Sequence, residues 1–158
     1  MNEDIRFMQM AIAAAKNAEI AGEVPVGAVL VSEKGEILAT GQNRVIELSD
    51  CTAHAEIEAL RNAGKILQNY RLLNTTLYAI MEPCVMCMGA LLHARVKKVV
   101  FGIFDPKWGA CGSIYDFSQN TLFNHKIQIV SGVCETEIKH MLQTFFKAKR
   151  TNGLKKLP

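Results

Sequence analysis

Two short runs carry the chemistry legible in this chain: His54-Ala55-Glu56, and Cys84 with Cys87 in Pro83-Cys84-Val85-Met86-Cys87. One imidazole and two thiolates suit zinc, and three protein ligands leave one tetrahedral position open to water, as in catalytic rather than structural sites. Water on zinc gives up a proton near neutral pH. A carboxylate two residues from the histidine is placed to handle that proton, so Glu56 reads as a general acid/base and not as a fourth ligand. Cys-x-x-Cys alone is weak, because redox pairs and iron-sulfur sites use the same spacing. His-x-Glu followed by Pro-Cys-x-x-Cys, each at the start of a helix, is the combination that selects catalytic zinc.

The elements around these runs must bring them to one place. Ile5, Met8, Ile12 and Ala15 follow helical spacing and Gly22 supplies a stop, which predicts an amphipathic helix over Glu3 to Ile20. Val26 to Val31 and Glu36 to Gly41 flank Ser-Glu-Lys-Gly and read as a β-hairpin. A loop from Gln42 to Cys51 leads to a helix over Ala53 to Lys65, with Asp50 or Thr52 as its cap and His54 in its first turn. That placement matters, because in mid-helix two residues with one between them point about 200° apart. At a helix start both can approach one point in front of it.

Thr75 to Met81 reads as a buried strand, and Pro83 marks the turn into a helix over Cys84 to His93. The positive end of that helix favours thiolate over thiol at Cys84 and Cys87. Strands over Lys98 to Ile103 and Ile127 to Val130 follow, then a closing helix over Glu135 to Arg150, with Phe104 to Asn124 as the longest irregular loop. This order implies a three-layer α/β arrangement, a central five-stranded mixed sheet with helices on both faces. Both half-sites then fall on one edge of the sheet, where open α/β sheets bind ligands.

At 158 residues the chain reads as one domain, residues 1–158, large enough to bury a core without disulfides. Hydrophobic residues at 49% against 21% charged exclude a disordered chain. The stretch from Leu77 to Phe104 is broken by Glu82, Pro83, His93, Arg95, Lys97 and Lys98, which excludes a membrane helix there. Acidic residues in MNEDIRFMQM argue against a signal peptide, and five scattered cysteines fit a reducing compartment, so a cytoplasmic location is expected.

The net charge of +3 is concentrated at the end, in Lys147, Lys149, Arg150, Lys155 and Lys156. With Phe145 and Phe146 just upstream, this is either a solvated helix end or a surface that meets phosphates and stacks a base. His93, His125 and His140 lack ligand context and read as helix-end, loop and surface residues, while Cys51, Cys111 and Cys134 read as small buried or half-buried side chains. Asn43 is either a turn residue or an amide that offers a donor and an acceptor to a purine edge.

Taken together, Gly22-Glu23-Val24-Pro25-Val26-Gly27-Ala28, Asn43, Thr52-Ala53-His54-Ala55-Glu56, Asn69-Tyr70-Arg71-Leu72, Glu82 to Cys87, Asp105-Pro106-Lys107, Gly112-Ser113 and Phe145-Phe146 resemble the bacterial tRNA-specific adenosine deaminases over nearly the whole chain. The resemblance implies a cytidine deaminase-like fold, a homodimer, and conversion of adenosine to inosine at the wobble position of a tRNA anticodon stem-loop, that of an arginine tRNA. It implies one zinc ion per subunit on His54, Cys84 and Cys87, and proton transfer by Glu56. Base contacts would fall to Asn43 and the Ala55 backbone, with Val26 lining the purine pocket. Arg71, Asp105, Lys107, Phe146 and Arg150 match positions around the flanking anticodon nucleotides. It further implies that the last two strands run parallel, with a short connecting helix within Asp116 to Leu122. Two features depart from the family's pattern: Cys51 stands where proline is frequent, and Trp108 with Cys111 makes the Asp105 loop bulkier.

Hydrolytic deamination at C6 of adenine is the expected reaction, with Glu56 taking a proton from water, delivering it to ring N1 and then helping ammonia leave. The alternative enzyme is a deaminase of a free nucleobase or nucleoside, guanine or cytosine/cytidine, because the zinc motif is common to all of them. A riboflavin-type deaminase is disfavoured by the two-residue spacing of the cysteines. A noncatalytic RNA-binding subunit that keeps zinc for structure is disfavoured by the presence of Glu56.

Overall fold

The computed structural model of the chain describes residues 2–152. Ten elements follow in order: α1 (Glu3–Ile20), β1 (Gly27–Ser32), β2 (Ile37–Gln42), α2 (Val45–Leu48), α3 (Ala55–Leu67), β3 (Thr75–Met81), α4 (Val85–His93), β4 (Lys98–Ile103), β5 (Gln128–Val130) and α5 (Glu135–Asn152). Helix α1 starts where Asn2 accepts a hydrogen bond from the Asp4 amide (2.8 Å) and stops before Gly22, whose φ of +86° suits glycine. It buries Phe7, Met8, Ala11, Ile12, Ala15 and Ala18, while Ile5 stays outside. Of the basic terminus, Lys155 and Lys156 lie outside the described residues.

The five strands form one sheet in the order β2-β1-β3-β4-β5. Strand β1 runs antiparallel to both β2 and β3, while β3, β4 and β5 are parallel. Only β1 is therefore reversed. The carboxyl ends of β2, β3 and β4 reach the same edge of the sheet as the amino end of β1.

Cross-strand partners share a face, which fixes the layers. Gly41, Ala28, Ala79 and Phe101 form one row, and Gly27, Ile80 and Gly102 belong to the other. A Cβ on Gly41 would lie 2.2 Å from the Ala55 carbonyl oxygen of α3, and one on Gly27 would lie 2.1 Å from Ala11 of α1. Gly102 faces Ile138 of α5. Helices α1 and α5 thus cover one face, and α3 with its neighbour α4 covers the other. The glycine at position 41 lets α3 approach the sheet at backbone distance, and that approach sets the depth of the helix start at His54.

Three local expectations differ from the structure. The Gln42 to Cys51 loop contains α2, a single turn whose exposed apolar residues give no periodic signal. It is held by Glu23, 2% exposed, which accepts the amides of Ile46 (3.0 Å) and Glu47 (2.9 Å). Helix α3 begins later than expected. Its cap is His54, because Asp50 spends an oxygen on the amide and hydroxyl of Thr52 (2.8 and 2.7 Å).

The β4–β5 connection carries no helix within Asp116 to Leu122. Asp116 and Asn120 instead accept the amides two residues on, from Ser118 (3.0 Å) and Leu122 (2.9 Å), and such turns compete with a helical ladder. The parallel pairing of β4 and β5 is as expected. No helix of the described residues is long and apolar enough to cross a membrane.

Candidate active site

Two helix starts face each other across the sheet edge. His54 caps α3 and Cys84 caps α4, both in extended backbone conformation with no side-chain capping bond, so imidazole and thiol are free to point outward. The His54 Nδ1 lies 3.7 Å from Cys84 Sγ and 3.6 Å from Cys87 Sγ. In a tetrahedron with ordinary zinc–nitrogen and zinc–sulfur bonds this edge measures about 3.5 Å. The residues fit zinc, and they are the metal-competent cluster of histidine, cysteine and carboxylate side chains among the described residues.

Thiol ionisation bears on the same point. Cys84 is pulled down to about 4, chiefly by its contact with the Cys87 thiol and, against the opposing effect of burial, by the facing His54. Cys87 is pushed up by its contact with Cys84 and by burial. His54 is raised by its contact with Cys84. Ionisation of both thiols is what a divalent cation held by them brings about.

Glu56 is 4% exposed, with burial as the main force pushing its carboxyl above the usual range. The Cys87 thiol donates to its Oε2 at 3.4 Å, which places the carboxylate beside the ligand cluster. A cavity of about 610 Å³ opens over these groups, lined by Val26, Asn43, Cys51, His54, Glu56, Met81, Glu82, Cys84, Asp105 and Trp108 among others. This volume suits a small organic ligand.

Asn43 has a structural bond as well as a place in the cavity wall. Its Oδ1 accepts the Ala55 amide of α3 at 2.9 Å, which orients the side-chain amide and caps the helix that His54 leaves uncapped. Its NH2 group has no protein partner among the described residues and is left as a donor. Asp105 lies in the same cavity, while Lys107, Phe146 and Arg150 line an adjoining groove of about 780 Å³ that shares Met81 as a wall. Arg71 is in neither wall; it sits on the loop after α3 with its guanidinium 5.5 Å from the Tyr70 ring centre. Phe145 is buried and Phe146 half exposed, so only the second is available for stacking.

Cys51, expected to be small and covered, is exposed at the cavity mouth, because the turn held by Asp50 leaves it outside the core. Cys111 is buried and Cys134 half-buried. His93 ends α4, His125 binds the Val96 carbonyl (2.6 Å) and His140 is exposed on α5.

Glu82 is the residue sequence reasoning overlooked. Its carboxylate, 2% exposed, accepts the amides of Asp105 (3.0 Å), Cys111 (2.9 Å) and Ser113 (3.0 Å) and the Ser113 hydroxyl. A bridge between Cys84 and Gly109 adds to this tie. The sole signal in the sequence is a carboxylate between an apolar strand and a proline. Replacing Glu82 by glutamine turns a donor toward inward-facing amides. The zinc-loaded variant is expected to melt roughly 5–15 °C below the parent, read by calorimetry with metal content as control.

The fold and this cluster together define a zinc-dependent deaminase, and the chain belongs to the family whose model describes the cytidine and deoxycytidylate deaminase zinc-binding region, matched over residues 1–103. Within it, the chain is 50% identical over 147 residues to the tRNA-specific adenosine deaminase of Haemophilus influenzae, covering 93% of this chain and 85% of that protein. The Bacillus subtilis tRNA-specific adenosine deaminase is 47% identical, covering 95% and 92%. A structure from a study of A-to-I editing by tRNA:A34 deaminases superimposes with a TM-score of 0.83 at 40% identity, over 87% of this chain and 99% of the other. The chain is a member of the tRNA-specific adenosine deaminase family. A guanine deaminase from Nitrosomonas europaea, 24% identical with a TM-score of 0.78 over 89% and 83% of the two chains, shares the fold.

Proposed function

We propose that this chain is a zinc-dependent hydrolase that converts adenosine to inosine at the wobble position of a tRNA anticodon, with the stem-loop of an arginine tRNA as substrate. The observation that carries the reading is the buried Glu56 beside a three-ligand cluster, under a cavity with an oriented amide on its wall. His54, Cys84 and Cys87 would hold zinc, which would supply a Lewis acid that lowers the pKa of water. Glu56 collects the water proton, returns it to ring N1 of adenine and then assists the departing ammonia. Burial suits it to this work, since a carboxyl raised above its ordinary range holds a proton more readily.

The Asn43 oxygen is committed to Ala55, so its free NH2 meets an acceptor on the base, for which purine N7 is available and a pyrimidine has no counterpart. The Ala55 amide contributes through Asn43, and Val26 supplies an apolar wall. Lys107, Phe146 and Arg150 in the adjoining groove serve flanking nucleotides, alongside Asp105 in the catalytic cavity. Arg71 stands apart from both walls within one chain. A homodimer acting in the cytoplasm, with a single domain per chain, completes the reading.

Incubation of the zinc-loaded protein with an anticodon stem-loop bearing adenosine at the wobble position is expected to yield inosine. Free adenosine, cytidine and guanine are expected to stay unchanged in parallel reactions. Product confined to the free compounds would overturn the tRNA reading in favour of a nucleobase or nucleoside deaminase.

A further inference from the structure

We infer that Trp108 is a substrate-binding residue of this site, its indole serving as the stacking platform for the base of the nucleotide next to the reacting adenosine. The identity of the ligand as RNA rests on the function proposed above; the platform itself is read from the geometry.

Trp108 is the chain's single tryptophan, and it is 69% exposed while forming part of the wall that also holds His54, Glu56 and Asn43. An indole usually covers most of its large apolar surface. The backbone that carries this one is pinned. The amides of Lys107 and Trp108 both donate to Asp105 Oδ1 (3.0 and 3.3 Å), and the Gly109 amide donates to the Asp105 carbonyl (2.9 Å). Glu82 then fastens the loop on both sides of the ring, at Asp105 and at Cys111 and Ser113. The main chain around Trp108 is therefore fixed, and the ring stands in the cavity wall, open to solvent.

What it holds out is a π face beside a cationic groove. Lys107, Lys139, Lys149 and Arg150 line the neighbouring 780 Å³ groove, where phosphates would lie. A base drawn into the cavity leaves its sequence neighbour without a stacking partner, and an aromatic ring at the mouth replaces that partner. Stacking of this kind accepts any base face, so Trp108 acts on binding of the loop and not on the chemistry at C6.

A lone tryptophan makes the contact directly observable. Zinc-loaded protein carrying Glu56→Ala holds the stem-loop unreacted, and titration is expected to quench the tryptophan fluorescence. The quench is expected to vanish when one of the two nucleotides flanking the adenosine is made abasic. In the active enzyme, Trp108→Ala is expected to lower kcat/KM for the stem-loop by about 5- to 100-fold, carried by KM, with Trp108→Phe retaining most of the activity. The penalty of Trp108→Ala should disappear on that same abasic substrate. Parental zinc content and melting temperature in Trp108→Ala show that the loss is not one of folding. RNA retained on a filter with unchanged fluorescence, or a Trp108→Ala penalty that persists in full on both abasic substrates, overturns the platform. A quench without any inosine from the active enzyme overturns the deamination reading and leaves the platform standing.

Discussion

Glu56→Ala is expected to lower inosine formation from the stem-loop by about ten-thousand-fold or more while zinc remains at one per chain. The size follows from the number of proton transfers the residue serves. A positioned general acid/base contributes roughly 10²- to 10⁴-fold, and in the proposed mechanism a single carboxylate takes the proton from water, gives it to the ring and assists the leaving group. Glu56 is buried against Cys87 with no other carboxylate in contact with the ligand cluster among the described residues. Alanine leaves His54, Cys84 and Cys87 intact, so metal content separates a catalytic loss from a structural one. Substantial inosine production by the zinc-loaded variant would remove Glu56 from the mechanism.

Cys87→Ala is expected to fail differently, losing metal and activity together. Complete four-ligand zinc sites are worth on the order of 10–16 kcal/mol, so one ligand accounts for roughly 3 kcal/mol, and its loss weakens the site more than a hundredfold. Cys87 is fully buried, which leaves no room for a surface side chain to stand in. Elemental analysis after gel filtration is expected to find zinc well below one per chain, with turnover falling in proportion. A variant that keeps its full zinc complement would show that Cys87 is not a ligand.

Much of this arrangement could be read from the residues, for reasons that differ between elements. Helix α1 was bounded correctly because its apolar spacing, the residues before it and Gly22 after it all agree. Strands β3 and β4 match their predicted limits since each is a short apolar run ended by proline, glycine or charge. The ligands and Glu56 come together as their spacing suggested, because each half-site is local in sequence and lies at a helix start.

What stayed hidden is held by partners remote in sequence. The turn α2 depends on Glu23, 23 and 24 residues away, and the Asp105 loop depends on Glu82 across 23 to 31 residues. A buried carboxylate collecting backbone amides has no periodicity, so it reads as a surface charge. The start of α3 was misplaced because Asp50 and Thr52 look like caps but are occupied with each other, and Asn43 caps the helix from 12 residues upstream. The exposure of Cys51 follows from the same turn. The absent connecting helix was expected from resemblance alone, and Asp116 and Asn120 show locally why the chain turns there instead.

His54 and Cys84 stand 30 residues apart in sequence, at the ends of α3's entry and β3's exit. An ion that holds both is therefore also a cross-link, closing a loop that the denatured chain would otherwise leave open. In a chain-entropy treatment, closing a loop of this size removes about 3–4 kcal/mol of conformational freedom from the unfolded ensemble, comparable to a disulfide of the same span. No disulfide joins the five cysteines, all of which are free. The metal thus gives this chain a staple that a reducing environment does not open, and the catalytic centre doubles as the knot that ties its two halves.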